Sequence, residues 1–220
     1  MFSPSDLEAF LACPHLTTLE LAVARGELEK PFRVNLHADL IRRKGDEHER
    51  HYLEELRAQG KTIAEPAMAG ETEEAIRNGT ADVIYQARLE HDGWRGIADF
   101  LERLPDGSYE VLDTKLARHA RPAHVLQLCF YTEQLARIQG RQPERMHVVT
   151  GLGERETFLP EDYGAYYRRL RQRFIQALDL EAGDAGDERQ VVVGLPLGLA
   201  ELEEVAEAAV VDRVRISGPA

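Results

Sequence analysis

WRGIADFLERLPDGSYEVLDTK, residues 94–115, decides how the rest of the chain is read. It reads as two β-strands joined by a Pro105-Asp106-Gly107-Ser108 turn. Side chains alternate along a strand, so Tyr109, Val111, Asp113 and Lys115 share one face, and Glu110, Leu112 and Thr114 take the other. On the preceding strand Arg95, Ile97, Asp99 and Leu101 share a face. Asp99 and Asp113 stand side by side only if paired residue numbers have an even sum. A plain two- or four-residue loop centred on Asp106-Gly107 gives an odd sum, so this pairing requires a three- or five-residue loop or a β-bulge.

Working outward, the 220 residues suit one sizeable domain, and 43% hydrophobic with 30% charged residues is the composition of a globular protein. The sequence has no run of 18 apolar residues, and it opens without the basic and apolar regions of a signal peptide, so a cytoplasmic location is expected. Two cysteines exclude a disulfide framework, and no Cys-x-x-Cys is present. The net charge of −12 argues against a phosphate binder by bulk charge. Residues 181–220 hold nine acids against three bases, half of that charge, so local patches decide instead.

Ser3-Pro4-Ser5-Asp6 predicts a helix start carrying Leu7, Phe10 and Leu11, and Cys13-Pro14 interrupts it. A second helix is expected over 15–25, with Leu16, Leu19 and Val23 as its apolar stripe and Gly26 as its end. A longer one over 38–58 carries Leu40, Ile41, Tyr52, Leu53 and Leu56, with Gly60 as stop. Its interior Gly45 costs about 1 kcal/mol relative to alanine, which suggests close approach of something to the helix. A short strand over 61–65, a helix over 71–77 and a strand over 82–90 lead through the turn His91-Asp92-Gly93 into the opening hairpin. Pro122 and Gly140 bracket a helix with Val125, Leu128, Cys129, Leu135 and Ile138 buried. Strands over 145–150 and 155–159 follow, then a core helix over 162–180 with Tyr166, Tyr167, Leu170, Phe174 and Leu178. The order predicts an α/β fold with a mixed β-sheet, an antiparallel meander plus a crossover helix and a further strand, flanked by helices. Residues 1–180 form the expected domain. Residues 181–220 read as a poorly ordered acidic C-terminal tail, linker-like at first, with strand, helix and strand patterns over 191–193, 199–209 and 210–216.

Hard oxygen donors such as Asp99 and Asp113 suit Mg²⁺ or Mn²⁺, which binds a scissile phosphate and lowers the pKa of a coordinated water. Lys115 would orient that water or stabilise charge on the phosphorane. By spacing alone the commoner reading is a surface salt bridge at a strand end.

Four motifs together carry more. Gly45-x-x-His48, Gly96-x-x-Asp99, Val111-Leu112-Asp113-Thr114-Lys115 and Gln127-x-x-x-Tyr131 resemble, in this order, the RecB-like branch of the PD-(D/E)XK nuclease superfamily. Ser3-Pro4-Ser5-Asp6-Leu7 and Cys13-Pro14-His15-Leu16 also look like bacterial RecB-like nucleases, some of them fused to helicases. The resemblance implies a restriction-endonuclease-like core. It implies Asp99, Asp113, the Thr114 carbonyl and His48 as metal ligands, with His51 as a second candidate, and Lys115 as the catalytic lysine. Gln127 and Tyr131 share a helix face and would reach substrate or that lysine. Glu47 and Glu49 read as solvated. Arg118, His119 and Arg121 after Lys115, the run Arg42-Arg43-Lys44, and Arg168, Arg169, Arg171 and Arg173 are candidate phosphate contacts, and Trp94, Tyr131 or Tyr167 could stack on a base.

Relatives in this branch bind an iron–sulfur cluster through one N-terminal and three C-terminal cysteines. Cys13 looks like a vestige of the first, but Cys129 reads as core and no cysteine follows it. The cluster cannot be built from two cysteines, and the changed composition after residue 180 suggests a truncated or frame-shifted end. The expected activity is metal-dependent hydrolysis of DNA, single-stranded or at duplex ends, by an exonuclease or helicase-associated module in DNA repair or recombination. The competing expectations are a catalytically inactive nucleic-acid- or protein-binding module and an RNA exonuclease of ribonuclease-H-like fold. The motif lysine argues against the last.

Overall fold

The computed structural model describes residues 1–30 and 35–183. The acidic segment expected to form a tail lies outside them from residue 184 on. The elements are α1 (Pro4–Ala12), α2 (Pro14–Ala24), α3 (Leu36–Ala58), β1 (Ile63–Ala64), α4 (Ala69–Asn78), β2 (Val83–His91), β3 (Trp94–Arg103), β4 (Tyr109–Thr114), α5 (Pro122–Gln139), β5 (Met146–Val149), β6 (Arg155–Phe158) and α6 (Pro160–Gly183). No helix among the described residues is long and apolar enough to cross a membrane.

The chain divides into two compact units. The first contains α3 through β6 and a mixed six-stranded sheet in the order β1-β2-β3-β4-β5-β6. β2, β3 and β4 form the antiparallel meander, and α5 carries the chain across to β5, which pairs parallel to β4. This is the α/β core with a mixed sheet that the element order predicts. All six residues of β4 are buried, as a central strand covered on both faces requires. On one side Leu53 and Leu56 of α3 pack with Val83, Phe100, Leu112 and Val149. The second unit contains α1, α2 and α6 from Gly164 on, where Phe10 meets Phe174 edge-on at 5.5 Å.

The turns follow their chemistry. Asp92 (φ 51°) and Gly93 (φ 77°) make a two-residue hairpin between β2 and β3, a geometry that aspartate tolerates and glycine favours. In the deciding hairpin Arg103 pairs with Tyr109, which leaves the five residues 104–108 between them. Leu104 N–H donates to the Ser108 carbonyl at 2.7 Å, and Gly107 sits at φ 87°. The sum of paired numbers is therefore even, as the side-by-side arrangement of Asp99 and Asp113 demands.

Two apolar stripes differ from expectation. Leu16 and Leu19 of α2 are exposed, because the face carrying Thr17 is the one turned inward. Leu40 and Ile41 of α3 are exposed as well. A 23-residue helix is about 34 Å long, whereas six-residue β4 spans about 20 Å, so the first half of α3 outruns the strand it crosses. Gly45 lies in this stretch, and a Cβ there would meet nothing within 4 Å. Among the described residues, none comes close to it. Gly45→Ala is expected to raise stability by about 0.5–1 kcal/mol in urea denaturation, through the entropy of the unfolded chain alone. A loss of stability would mean that the helix needs the glycine.

Candidate functional site

The hairpin register sets Asp99 directly across from Asp113, one step beyond the Phe100–Leu112 pair. Thr114 fixes Asp99: its N–H and its hydroxyl donate to Asp99 Oδ2 at 2.8 and 2.9 Å. Asp113 is fully buried, and neither of its carboxylate oxygens takes a hydrogen bond of good geometry. Among the described residues its counter-charge is Lys115, whose ammonium forms an ion pair with Oδ2 while its side chain stays 24% exposed. Burial first, then the charge of Asp99, pushes the Asp113 carboxyl well above the usual range, and Lys115 only partly offsets this. Burial works against the Lys115 charge, yet Asp113, Asp99 and Glu49 together hold its pKa above the ordinary lysine value.

Glu49 is in this cluster. The charged run around it places it in solvent by sequence, whereas burial first and then Asp99 raise its pKa, and Gln86 Nε2 donates to its carboxylate. A signal does exist: Glu49, Tyr52, Leu53 and Leu56 follow helical i, i+3, i+4, i+7 spacing, so Glu49 continues the buried stripe. Gln86 carries no such signal. It sits mid-strand at φ 52°, a conformation costing a non-glycine residue about 1–2 kcal/mol. Tyr85 pairs with Phe100 and Ala87 with Ala98, so Gln86 stands opposite Asp99 at the one gap in that ladder.

The expected α5 residues arrive as a pair. Gln127 Nε2 donates to Tyr131 Oη at 3.0 Å. Burial raises the Tyr131 pKa first, and then the charges of Asp113 and Asp99 raise it further. Gly96 is required by this packing, because a Cβ there would stand 2.7 Å from Tyr131 and 2.9 Å from Phe130. Trp94, Tyr131 and Tyr167 are buried and serve as core rather than as stacking platforms.

His48 places Nε2 in a buried position without a hydrogen-bond partner. His51 is turned away: it is 72% exposed and pairs with Glu55 at 3.2 Å. Glu47 is exposed and tied to Lys44. Among the described residues, no three His, Cys, Asp or Glu side chains converge closely enough to hold a metal ion. The donor chemistry nevertheless fits a hard divalent cation. Asp99 and Asp113 offer carboxylate oxygens on neighbouring strands, Asp113 is fully buried, and His48 Nε2 is buried without a hydrogen bond. Cys13 is exposed just before α2 and Cys129 is buried on α5, and neither is in a disulfide.

Of the expected phosphate contacts, Arg118, Arg121 and Arg169 are exposed. His119 pairs with Glu156 at 3.0 Å, and Arg42 with Asp39 at 2.7 Å. A residue with no signal in the sequence, His124, lies in the first turn of α5. Its Nδ1 accepts from the Arg121 N–H at 3.1 Å, so a neutral ring carries its proton on Nε2. Burial, then Lys115 and Arg121, lowers its pKa to about 4. The unfolded chain protonates His124 near the ordinary value of 6.5, so stability is expected to fall as pH drops from about 6.5 toward 4. Urea denaturation at pH 7 and pH 5 checks this, and His124→Asn, which keeps an acceptor for the Arg121 N–H, should flatten the slope.

Compared with known proteins, the chain matches no family model, and no curated protein is significantly similar to it.

Proposed function

We propose that the chain is a metal-dependent nuclease hydrolysing DNA phosphodiester bonds on a restriction-endonuclease-like core, as an exonuclease or helicase-associated module in DNA repair or recombination. One observation carries this reading: a fully buried Asp113 stands across the hairpin from Asp99, with Lys115 paired against it. A buried carboxylate beside a like charge costs stability, and a site that binds a cation and a phosphate gives that cost a use.

Asp99 and Asp113, with Glu49 beside them, would hold Mg²⁺ or Mn²⁺, and His48 and the Thr114 carbonyl are the further donors of the set. Such an ion supplies Lewis acidity toward the phosphate and a water of lowered pKa. Thr114 keeps Asp99 in one rotamer through two hydrogen bonds. Lys115, released from Asp113, donates to the attacking water or to a non-bridging phosphate oxygen. Tyr131, fixed by Gln127, offers its hydroxyl to the same region. Exposed Arg118 and Arg121 follow Lys115 closely in sequence and suit backbone phosphates.

The test uses the purified chain with end-labelled single- and double-stranded DNA in Mg²⁺, Mn²⁺ or EDTA. Cleavage is expected with either metal and not in EDTA, and Asp113→Ala should abolish it in a folded protein. Cleavage that survives in Asp113→Ala and in Lys115→Ala sinks the mechanism. Binding of DNA without turnover in any metal would make the chain a non-catalytic binding module instead.

A further inference from the structure

Tyr52, Glu102 and Arg155 close a ring of hydrogen bonds between α3, β3 and β6. The Tyr52 hydroxyl donates to Glu102 Oε1 at 2.8 Å, and Arg155 donates to Glu102 Oε2 at 2.6 Å and to the Tyr52 oxygen at 2.9 Å. This ring is one wall of a cavity of about 240 Å³. Leu56 and Val83 supply its apolar side, which puts it on the α3 face of the sheet, where Leu112 also points. Asp113 follows Leu112 along β4 and takes the other face, so the cavity is separate from the Asp99–Asp113 pair. Pockets for drug-sized molecules run to about 300–1,000 Å³, so an occupant here is small.

The charges in the lining are unevenly committed. Both oxygens of Glu102 are taken up by the ring. Asp82 Oδ2 accepts from the Thr62 N–H and hydroxyl at 2.8 and 2.7 Å, which leaves Oδ1 free. Lys61 and Arg103 line the same cavity, and neither closes an ion pair among the described residues. Three cations against two carboxylates give the lining a positive balance, in a chain whose net charge is −12. We propose that this cavity binds a small phosphate monoester of a sugar, with Lys61 and Arg103 on the phosphate and Asp82 Oδ1 and the Gln59 carboxamide oxygen accepting from sugar hydroxyls. Hydrogen bonds from cations to a phosphate are about twice as strong as neutral ones, and the spare acceptors match hydroxyl donors. The ring holds Glu102 away from the ligand, so its charge does not oppose the phosphate at close range. The proposal does not depend on the nuclease reading.

The test is binding of ribose 5-phosphate, ribose and inorganic phosphate to the full chain in EDTA, by titration calorimetry and thermal shift. Ribose 5-phosphate should bind and raise the melting temperature, ribose should do neither, and inorganic phosphate should bind more weakly than the sugar phosphate. Lys61→Gln and Arg103→Gln should each weaken binding about tenfold, the loss of one charge-assisted hydrogen bond. Both side chains are exposed and make no ion pair, so the unliganded variants should melt as wild type does. The same sugar phosphate also occurs at the end of a nucleic-acid strand. A short oligonucleotide with a 5′-phosphate is therefore compared with its 5′-hydroxyl twin, and a preference for the phosphate that both variants lose supports the same chemistry and assigns its source to a strand end. No binding of ribose 5-phosphate or of the phosphorylated strand, or binding that both variants retain in full, would overturn the proposal and reduce the cavity to a gap beside a ring that staples α3 to the sheet. Equal affinity for inorganic phosphate and ribose 5-phosphate would overturn the role given to Asp82 and Gln59.

Discussion

Lys115→Met is expected to lower stability by about 3 kcal/mol at pH 7 and to make that stability respond to divalent metal. Among the described residues the lysine is the cation paired with Asp113, and removing one partner of a buried pair leaves the other charge unpaired. Asp113 has an escape, since burial and Asp99 already hold its carboxyl well above the usual range, and in the variant it takes a proton instead. The sign follows from linkage. The unfolded chain releases this proton near pH 4 and the folded variant keeps it to higher pH, so stability falls as pH rises between those two values. A wild type that retains Lys115 should show a shallower slope. Millimolar Mn²⁺ should restore much of the loss, because a cation against Asp113 replaces the missing ammonium. Thermal and urea melts of both proteins at pH 5 and 8, with and without metal, check all three statements. A variant as stable as wild type and indifferent to metal would remove the view that Lys115 holds the place of the cation.

Much of this site is legible in the sequence because its parts are local. Asp99, Asp113 and Lys115 lie on one hairpin, where strand alternation and turn length fix which side chains meet. The even register and the crossover through α5 follow from the same kind of reasoning, from Gly107 and from Pro122 and Gly140. Gln127 and Tyr131 need only the helical repeat. What escapes is set by tertiary packing. Glu49 lies on the buried line of α3, but a charged residue in a charged run reads as solvated until its neighbours across the fold are known. Leu40 and Ile41 read as buried because periodicity says nothing about where a long helix outruns its sheet. The left-handed Gln86 is beyond pattern reasoning, since glutamine has no intrinsic preference for φ 52° and only the surroundings impose it. His48 stays ambiguous in a different way: its spacing puts it on the right helix, yet only its buried, unpartnered nitrogen sets it apart from exposed His51.

Asp113→Asn separates stability from activity most sharply. Two opposing effects act on the carboxylate, attraction to Lys115 and the penalties of burial and of Asp99. Their net result is the direction of the Asp113 shift, which is upward: relative to the unfolded chain, the fold disfavours the charged form despite the lysine. An isosteric neutral amide should therefore be tolerated, with stability at pH 7 unchanged or raised by about 1 kcal/mol. The charges of Asp99 and Glu49 would still favour the Lys115 ammonium. Activity should move the other way. An amide neither neutralises a divalent cation nor keeps the charge of the site, and several kcal/mol of transition-state stabilisation at about 1.36 kcal/mol per tenfold is a loss of about a thousandfold or more. Melting curves and single-turnover cleavage rates on the same preparation test both halves. A variant that loses stability as well would mean that the Lys115 attraction outweighs burial and the charge of Asp99, the reverse of an upward shift. A variant that keeps its cleavage rate would remove Asp113 from the chemistry and return the Asp-x-Lys triplet to an ordinary ion pair at a strand end. The combination of a more stable fold and a lost reaction is what a carboxylate maintained for chemistry, at the expense of folding, must show.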